Sequence, residues 1–304
     1  MLDDLIGTQC GVVTRRQAAT CGLSDAAVAA HLAAGRWQRV RSGTYATFTG
    51  PLPRHSILWA ALLTCGRDAV LSHESAAELH GLTAPAGPVV HVSVPATRRV
   101  AAGAGLRIHR RTRMPAARGQ LPRTTIEETV VDLTQSAPDL DRAMGWIARA
   151  CANRLTTAAR LAASFAARPR LRWRHELAAT VADVGTGCHS LLELRYLRSV
   201  ERAHRLPAGR RQTRDGAMYR DVRYDDDLVV ELDGRIGHIG DHAFRDLRRD
   251  NAAQAAGFTT LRYGWADVTR RPCAVAVQVA TVLRHNGWTG EPQRCGPTCT
   301  LGRS

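Results

Sequence analysis

The chain has no lysine, so all 42 of its Lys and Arg residues are arginines. A GC-rich genome favours Ala, Arg and Gly, and this bias explains much of the replacement of lysine by arginine. It does not explain why 42 basic residues stand against 27 acidic ones. A guanidinium group can bind phosphate bidentately, whereas an ammonium group offers only a point charge. The excess of arginine therefore points to an anionic partner.

Aromatic residues are also scarce, at 5% of the chain, which argues against a binding mode built mainly on base stacking. No run approaches the ~20 apolar residues that a membrane span needs, so we expect no membrane partner. The first residues, MLDDLIGTQC, lack the basic and apolar regions of a secretory leader. We therefore expect a cytoplasmic protein.

The eight cysteines are scattered, as expected of free thiols in a reducing cytosol. Cys295 and Cys299 lie close together in a Gly- and Pro-rich terminal segment, but no second pair follows the usual zinc spacing. From the sequence alone we expect no metal at this pair.

Length and charge indicate a multidomain protein that binds nucleic acid. A chain of 304 residues suits two or three domains, and 44% hydrophobic residues allow each to bury a core. The net charge of +15 and the pI of about 10.7 favour nucleic acid as the partner. The oligomeric state is not predictable from these features.

Residues 1–50 are predicted to form a winged helix-turn-helix. Thr14 and Ser24 each stand at the start of a predicted helix, and Gly22 separates the two helices. A basic hairpin follows, with its turn at Arg41-Ser42-Gly43. In this layout the second helix enters the major groove and the wing contacts the DNA backbone or the minor groove. The alternative is a three-helix packing unit without a role in DNA binding.

The candidates for DNA contact in this region are five arginines on the predicted helices and hairpin: Arg15, Arg16, Arg36, Arg39 and Arg41. The predicted middle domain, residues 51–184, mixes α and β elements and ends in an Ala-rich helical stretch. Its segment 98–123 carries eight more arginines: Arg98, Arg99, Arg107, Arg110, Arg111, Arg113, Arg118 and Arg123. Either a solvated loop face or a phosphate-contacting patch explains them, and their spacing does not separate the two.

An acidic constellation lies in the predicted third domain, residues 185–287. Asp221 lies on one predicted strand, and Glu231 and Asp233 end the next, on the same face because side chains alternate along a strand. Antiparallel pairing of the two strands would bring all three acids together. Carboxylates bind Mg²⁺ or Mn²⁺, and the metal lowers the pKa of its water and stabilises charge on a phosphodiester. We therefore predict that Asp221, Glu231 and Asp233 bind such a metal and act in catalysis.

Four further residues are candidates beside these acids. His238 could act as a general acid or base, although a lone histidine is more often incidental. Glu193, on the preceding helix, could bind the metal or its water. Arg248 and Arg249 could hold a DNA phosphate, or could simply lie on a solvated helix face.

Several single residues and short motifs of the last hundred residues form a recognisable pattern. They are Glu193, Gln212, YRDVRY, VVELDG, His238 and GFTTLRYGWADV. This region resembles the nuclease-like family related to very-short-patch repair endonucleases, which has the restriction-endonuclease-like PD-(D/E)XK fold. The resemblance implies that Asp221 and Glu231 are metal carboxylates and that Asp233 and His238 occupy positions where the repair enzymes have histidines. The general nuclease pattern has a lysine where this chain has Asp233, whereas the repair branch does not.

Residues from 1 to about 135 contain a second set of motifs: GVVTRRQAATCGLS, GRWQRVRSGTYA, AVLSHESAAELHGL, VHVSVP and LPRTTIEETVVDL. They resemble the antitoxins of abortive-infection (AbiEi-type) type IV toxin–antitoxin systems. The resemblance implies a winged-helix protein that binds DNA, represses its own operon and has a cognate toxin as a possible partner.

The predicted fold is thus multidomain α+β, with a winged helix-turn-helix, a mixed α/β and helical middle, a restriction-endonuclease-like α/β domain and a flexible tail at 288–304. Three functions remain open. The first is a metal-dependent DNA endonuclease. The second is an antitoxin-type transcriptional regulator of a toxin–antitoxin or phage-defence operon, with an inactive nuclease-like domain. The third is a nuclease that acts on RNA.

Overall fold

The computed structural model describes residues 1–85, 87–101, 103–215, 218–225, 227–233 and 258–301. It is a multidomain protein of mixed α/β structure that divides into two compact units. Unit 1 consists of Met1–Pro138 and Ala163–Arg172, and unit 2 of Asp139–Ala162 and Trp173–Ser304. The finer domain boundaries of the sequence analysis stay predictions.

Unit 1 begins with a small helical segment and a three-stranded sheet. The elements are α1 (Leu2–Thr8), β1 (Val12–Thr14), α2 (Arg15–Thr20), α3 (Asp25–Ala33), β2 (Gln38–Arg41) and β3 (Thr44–Ala46). Strand β3 lies between β1 and β2 and pairs antiparallel with both. Val13, Val28 and Trp37 are part of a buried apolar cluster between these helices and the sheet.

Both predicted helix starts are confirmed. Thr14 Oγ1 accepts a hydrogen bond from the N–H of Gln17, whose side chain accepts from the N–H of Thr14, which forms a capping box. Ser24 Oγ accepts from the N–H of Ala27 at 3.2 Å. Gly43, in the predicted hairpin turn, has a φ of 65°, a conformation that glycine adopts without strain.

The rest of unit 1 packs helices on a second small sheet. Its elements are α4 (Arg54–Cys65), β4 (Val70–Leu71), α5 (His73–Leu79), β5 (Val90–Pro95), β6 (Leu106–Arg111) and α6 (Ile126–Ser136). The strand order is β4-β5-β6, with β4 and β5 antiparallel and β5 and β6 parallel. Leu58, Leu71 and Val92 lie in its apolar core.

A buried carboxylate on α6 uses one of the arginines from segment 98–123. Asp132 forms ion pairs with Arg111 and with Arg168, and its side chain is 2% exposed. Arg111 is therefore a partly buried ion-pair partner within unit 1, a role that differs from both a solvated loop face and a phosphate contact. Removing an arginine from such a site would leave a buried carboxylate without its charge partner.

Unit 2 contains most of the helices in the second half of the chain. They are α7 (Leu140–Ala152), α8 (Ala158–Ala166, with residues in both units), α9 (Arg174–Gly185), α10 (Leu191–Tyr196), α11 (Trp265–Arg270) and α12 (Pro272–His285). Helix α10 continues directly into a π-helical turn, Leu197–Arg202. No helix in the described parts of the chain combines the length and the apolar character needed to cross a bilayer.

The sheet of unit 2 has four described strands, β7 (Arg210–Asp215), β8 (Met218–Tyr224), β9 (Leu228–Asp233) and β10 (Thr259–Gly264), in the order β7-β8-β9-β10. The first three are antiparallel neighbours, and β10 runs parallel to β9. Val222, Val230 and Val279 lie in the core between sheet and helices. The two predicted strands that carry Asp221, Glu231 and Asp233 are confirmed as β8 and β9.

Glu201, on the π-helical turn, is the anchor between this helix and the sheet. Its Oε1 accepts hydrogen bonds from Tyr224 Oη at 2.7 Å and from the N–H of Gly209 at 3.0 Å, and its Oε2 forms an ion pair with Arg211. The hydroxyls of Tyr224 and Tyr196 lie 2.9 Å apart. The π-helical turn is thereby fixed to β7 and β8.

The last described segment, residues 286–301, has neither helix nor strand, yet it is attached to unit 2. The N–H of Gln293 donates to the carbonyl oxygen of His204 at 2.8 Å, and Cys299 is 1% exposed. These contacts attach the described part of the segment to unit 2, and the flexibility predicted for residues 288–304 stays a prediction.

We expect Arg211→Ala to lower the free energy of unfolding of unit 2 by about 3–5 kcal/mol, because it leaves Glu201 buried without its charge partner. The neighbouring Arg210 is the matched control, since its ion pair with Asp225 is exposed on both sides. Arg210→Ala should cost less than ~1 kcal/mol. Urea unfolding followed by circular dichroism measures both, and equal losses would contradict the structural role of Glu201.

The three neighbouring histidines of unit 1, His73, His91 and His109, should make this unit sensitive to acid. Burial, assisted by the neighbouring charges of His91 and Arg111, lowers the pKa of His109 to about 4, while the unfolded chain takes up the proton near pH 6.5. Stability is therefore complete above about pH 6.5 and falls as the pH drops towards about 4. His109→Gln should reduce the fall in thermal midpoint between neutral pH and about pH 5, and the exposed His175→Gln should not. Identical falls in both variants would exclude this account.

Candidate functional site

Four of the five predicted DNA-binding arginines are exposed on the N-terminal segment, and three of these lie outside the Arg15–Asp25 ion pair. They are Arg16 on α2, Arg36 just after α3, and Arg39 on β2, and we call them the basic surface. Arg36 Nε donates to His31 Nδ1 at 3.1 Å, and the His31 ring stacks on Trp37 with centroids 4.9 Å apart. Arg36 is thereby held at the C-terminal end of α3.

The other two predicted arginines are engaged within the protein. Arg15, at the start of α2, binds Asp25, at the start of α3, through both ends of its guanidinium group, with Nε 2.7 Å from Oδ1. Arg41 Nη2 donates to the carbonyl oxygen of Ala104 at 3.2 Å. Arg15 therefore orients α2 against α3, and Arg41 fixes the hairpin.

The outer face of α3 is made largely of alanine. Four of its alanines are exposed: Ala26, Ala29, Ala30 and Ala33. The helix, DAAVAAHLA, has no Arg, Asn or Gln, the residues that read guanine and adenine by bidentate hydrogen bonds. Its capacity for direct base recognition is therefore small.

In unit 2, Asp221 and Glu231 lie on neighbouring antiparallel strands. The β8–β9 pairing ends with Val222 and Val230, and Asp221 and Glu231 are the adjoining residues of the two strands. One oxygen of Asp221, Oδ2, accepts from the N–H of Leu232 at 2.8 Å. The backbone of β9 thus fixes the Asp221 side chain between the strands.

Glu193 lies in the first turn of α10, behind its cap residue Ser190. Its buried Oε2 accepts from the N–H of His189 at 3.0 Å and from Gln212 Nε2 at 3.3 Å. Burial raises the pKa of Glu193, and the negative charge of Asp221 raises it further. Glu193 is therefore close enough to Asp221 for the two charges to repel.

Glu231 is in a similar position. Burial raises its pKa, the charge of Asp221 adds to the effect, and hydrogen bonding to Arg220 opposes it. Arg220 Nη1 lies 3.3 Å from Glu231 Oε1, and Arg262 is the partner of Glu231 in the parallel β9–β10 register. The negative charge of Asp221 thus raises the pKa of both glutamates.

Arg220 and Arg262 also lie beside the acids, where they were not predicted. A signal for Arg220 was present in YRDVRY. Arg220 lies two and four residues before the buried Val222 and Tyr224, so its side chain is on the same, buried face of the strand. An arginine on the buried side of a strand needs a carboxylate partner. The position of Arg262 depends on the parallel pairing of β9 with β10, which no local pattern shows.

The remaining predicted site residues are less informative. Asp233 is exposed at the end of β9, in register with Gly264. His238, Arg248 and Arg249 lie outside the described residues, so their predicted roles stay predictions.

The acids have the right chemistry for Mg²⁺, which prefers oxygen ligands and usually takes one or two carboxylates with water and phosphate. The repulsion that Asp221 exerts on Glu231 is the kind that a cation would relieve. Within the described residues, the acids do not form a group of three whose oxygens all lie within 4.8 Å of one another. The chemistry of Asp221 and Glu231 therefore suits such a metal, and metal binding by these two residues and by Asp233 stays a prediction.

Comparison with known proteins gives little for the chain as a whole. No curated protein matches it. Among solved structures, it is similar to the crystal structure of the RV2827C protein from Mycobacterium tuberculosis, with 18% identity and a TM-score of 0.39 over 59% of this chain and 75% of that chain. A TM-score of this size carries no argument about fold or function.

The N-terminal segment gives a clearer result. Residues 1–47 match the model of a family described as "Transcriptional regulator, AbiEi antitoxin". The matched range contains α1, α2, α3 and the β2–β3 hairpin, and with them the basic surface. The resemblance predicted for the N-terminal region is thus supported over these residues, which are similar to AbiEi-type antitoxin regulators.

Proposed function

We propose that the protein is a DNA-binding transcriptional regulator of antitoxin type. The observation that carries this proposal is the family match of residues 1–47 together with the exposure of Arg16, Arg36 and Arg39 on the matched elements. In the proposed complex this segment docks as a winged helix-turn-helix, with α3 in the major groove and the β2–β3 hairpin on the DNA backbone.

The charge distribution supports a binding mode dominated by phosphate contacts. The net charge of +15 favours approach to DNA, and each arginine that neutralises a phosphate releases counterions. Because the exposed face of α3 is mainly alanine, its base contacts would be limited to thymine methyl groups and the few polar side chains of the helix. Sequence preference would then depend largely on DNA shape.

The proposed biological target is the operator of the protein's own operon, in a toxin–antitoxin or phage-defence locus. A cognate toxin is the proposed protein partner.

We expect Arg16→Ala, Arg36→Ala and Arg39→Ala each to weaken binding to the protein's promoter DNA. Each change removes a phosphate ligand, so the slope of log affinity against log salt concentration should fall by about 0.9 per arginine. Fluorescence anisotropy at several salt concentrations gives both quantities.

The adjacent Arg15 provides the matched control for Arg16. Its guanidinium group is occupied by Asp25, so Arg15→Ala should change the salt slope less than Arg16→Ala does, once folding has been checked by circular dichroism. Equal slopes for wild type and all three variants of the basic surface would place the DNA elsewhere on the protein.

A second candidate function is metal-dependent phosphodiester hydrolysis in unit 2. It is favoured by one observation, the position of Asp221 and Glu231 on neighbouring strands, where Asp221 Oδ2 accepts a hydrogen bond from the N–H of Leu232. In this proposal Asp221 and Glu231 hold Mg²⁺ or Mn²⁺, which would act as Lewis acid and activate water. Arg262, beside Glu231 in the sheet, would supply positive charge where other nucleases have a lysine.

Incubation of supercoiled plasmid with the protein and Mg²⁺ or Mn²⁺ tests this second candidate. We expect wild type to nick the plasmid and Asp221→Asn to lose at least about a hundredfold in rate, because the variant loses a metal carboxylate. The control is Asp225→Asn on the β8–β9 turn, an exposed acid whose loss should leave nicking unchanged.

Equal nicking by wild type and Asp221→Asn would show that the site is misassigned. No nicking by any variant, with promoter binding retained, would leave the regulator function standing alone. A single-stranded RNA substrate in the same assay would identify an RNA-directed nuclease.

A further inference from the structure

Four side chains of the kind that bind transition metals converge in unit 2. His204 follows the π-helical turn, Cys273 is the second residue of α12, and Cys295 and Cys299 belong to segment 286–301. One ligand atom from each residue lies within 4.8 Å of all the others. None of these residues belongs to the acidic site or to the basic surface.

The measured separations agree with tetrahedral coordination. Cys273 Sγ lies 3.6 Å from Cys295 Sγ, and Cys299 Sγ lies 3.6 Å from His204 Nε2. Tetrahedral zinc, with Zn–S near 2.3 Å and Zn–N near 2.05 Å, places two sulfurs roughly 3.8 Å apart and a sulfur and a nitrogen roughly 3.6 Å apart. The thiols are too far apart for a disulfide, whose sulfurs lie about 2.05 Å apart.

The imidazole of His204 is already oriented as a ligand. The residue is fully buried, and its Nδ1 lies 3.0 Å from the carbonyl oxygen of Val200. Because a carbonyl oxygen only accepts, Nδ1 carries the proton, and the lone pair of Nε2 points towards Cys299. Metal-binding histidines commonly have their second nitrogen fixed by such a hydrogen bond.

The terminal segment has few contacts that hold it in place. Cys299 is its only buried residue among residues 286–301, Trp288 packs against the core of unit 2, and the N–H of Gln293 donates to the carbonyl oxygen of His204. These contacts are a weak reason for a segment without helix or strand to adopt a defined path, since each ordered residue loses roughly 1–2 kcal/mol of backbone entropy. A metal bound by two of its cysteines is a sufficient reason.

We propose that His204, Cys273, Cys295 and Cys299 bind a structural zinc ion. Three sulfurs and one imidazole nitrogen form a soft donor set that suits Zn²⁺ and does not suit Mg²⁺ or Ca²⁺. All four coordination positions come from the protein, so the site has no open position for a substrate. The three thiols would each lose a proton to solvent when the metal binds.

The zinc would join three parts of unit 2 that are distant in sequence. His204 follows Glu201 on the helix that anchors β7 and β8, Cys273 lies in the first turn of α12, and Cys295 and Cys299 fix the terminal segment. The site would therefore stabilise unit 2 whether or not the acidic site is catalytic.

The test is the metal content of the purified full-length protein, prepared with a reductant and without chelator and measured by inductively coupled plasma mass spectrometry. We expect one zinc ion per chain in wild type, and less than about a tenth of that in Cys295→Ser, which removes an exposed ligand. Cys151→Ser, on α7 of the same unit, is the matched control and should keep its zinc.

Cobalt provides a second readout that does not depend on any variant. Wild type stripped of metal and loaded with Co²⁺ should show a thiolate-to-cobalt charge-transfer band and the d–d bands of tetrahedral cobalt. Removal of the metal should also accelerate tryptic cleavage after Arg294 by at least about tenfold, because the segment is released.

The histidines of unit 1 offer a second group within ligand distance, formed by His73, His91 and His109. Zinc that stays in Cys295→Ser and is lost in His109→Gln would overturn the proposal. No zinc and no thiolate–cobalt band in reduced wild type would also overturn it, as would a stable Cys273–Cys295 disulfide that leaves reduced protein unable to bind metal.

Discussion

The buried carboxylate of Glu201 is the interaction on which unit 2 depends. It lies on one continuous helix, α10 with its π-helical turn, that also carries Glu193 before it and His204 after it. Desolvation of a carboxylate is costly, and here Tyr224, Gly209 and Arg211 offset that cost with hydrogen bonds and an ion pair. Through this anchor a single helix is placed against the acidic strands at one end and against the cysteines at the other.

Much of the local structure could be predicted because its causes are local. The capping box of Thr14 with Gln17, the cap at Ser24 and the glycine of the hairpin turn act over three or four residues, and each is visible in the sequence. The parts that escaped prediction depend on partners far apart in the chain. Cys295 and Cys299 showed no second pair, because their companions, His204 and Cys273, come from other elements and follow no zinc spacing.

Charge on the N-terminal segment illustrates the same limit. Arg15 and Arg16 are neighbours and look alike in the sequence, but one is tied to Asp25 and the other faces solvent. The sequence therefore predicts that the surface is basic and does not predict which guanidinium groups are available to a phosphate. For the acids the position is intermediate. Alternation along β8 and β9 and the place of Glu193 on the preceding helix were predicted, whereas the parallel pairing that sets Arg262 beside Glu231 was not.

The π-helical turn Leu197–Arg202 sets the angular phase between the two ends of its helix. A π turn holds more residues than an α turn, and such turns frequently occur at functional sites. With 3.6 residues per α-helical turn, loss of one residue there would rotate everything after it by about 100°. Glu201 and His204 lie at or beyond the turn, so both would swing away from their partners, whereas Glu193 lies before it and would stay. An insertion or deletion in these few residues would thus be far more damaging than most substitutions, and the length of this segment is itself part of the information that specifies unit 2.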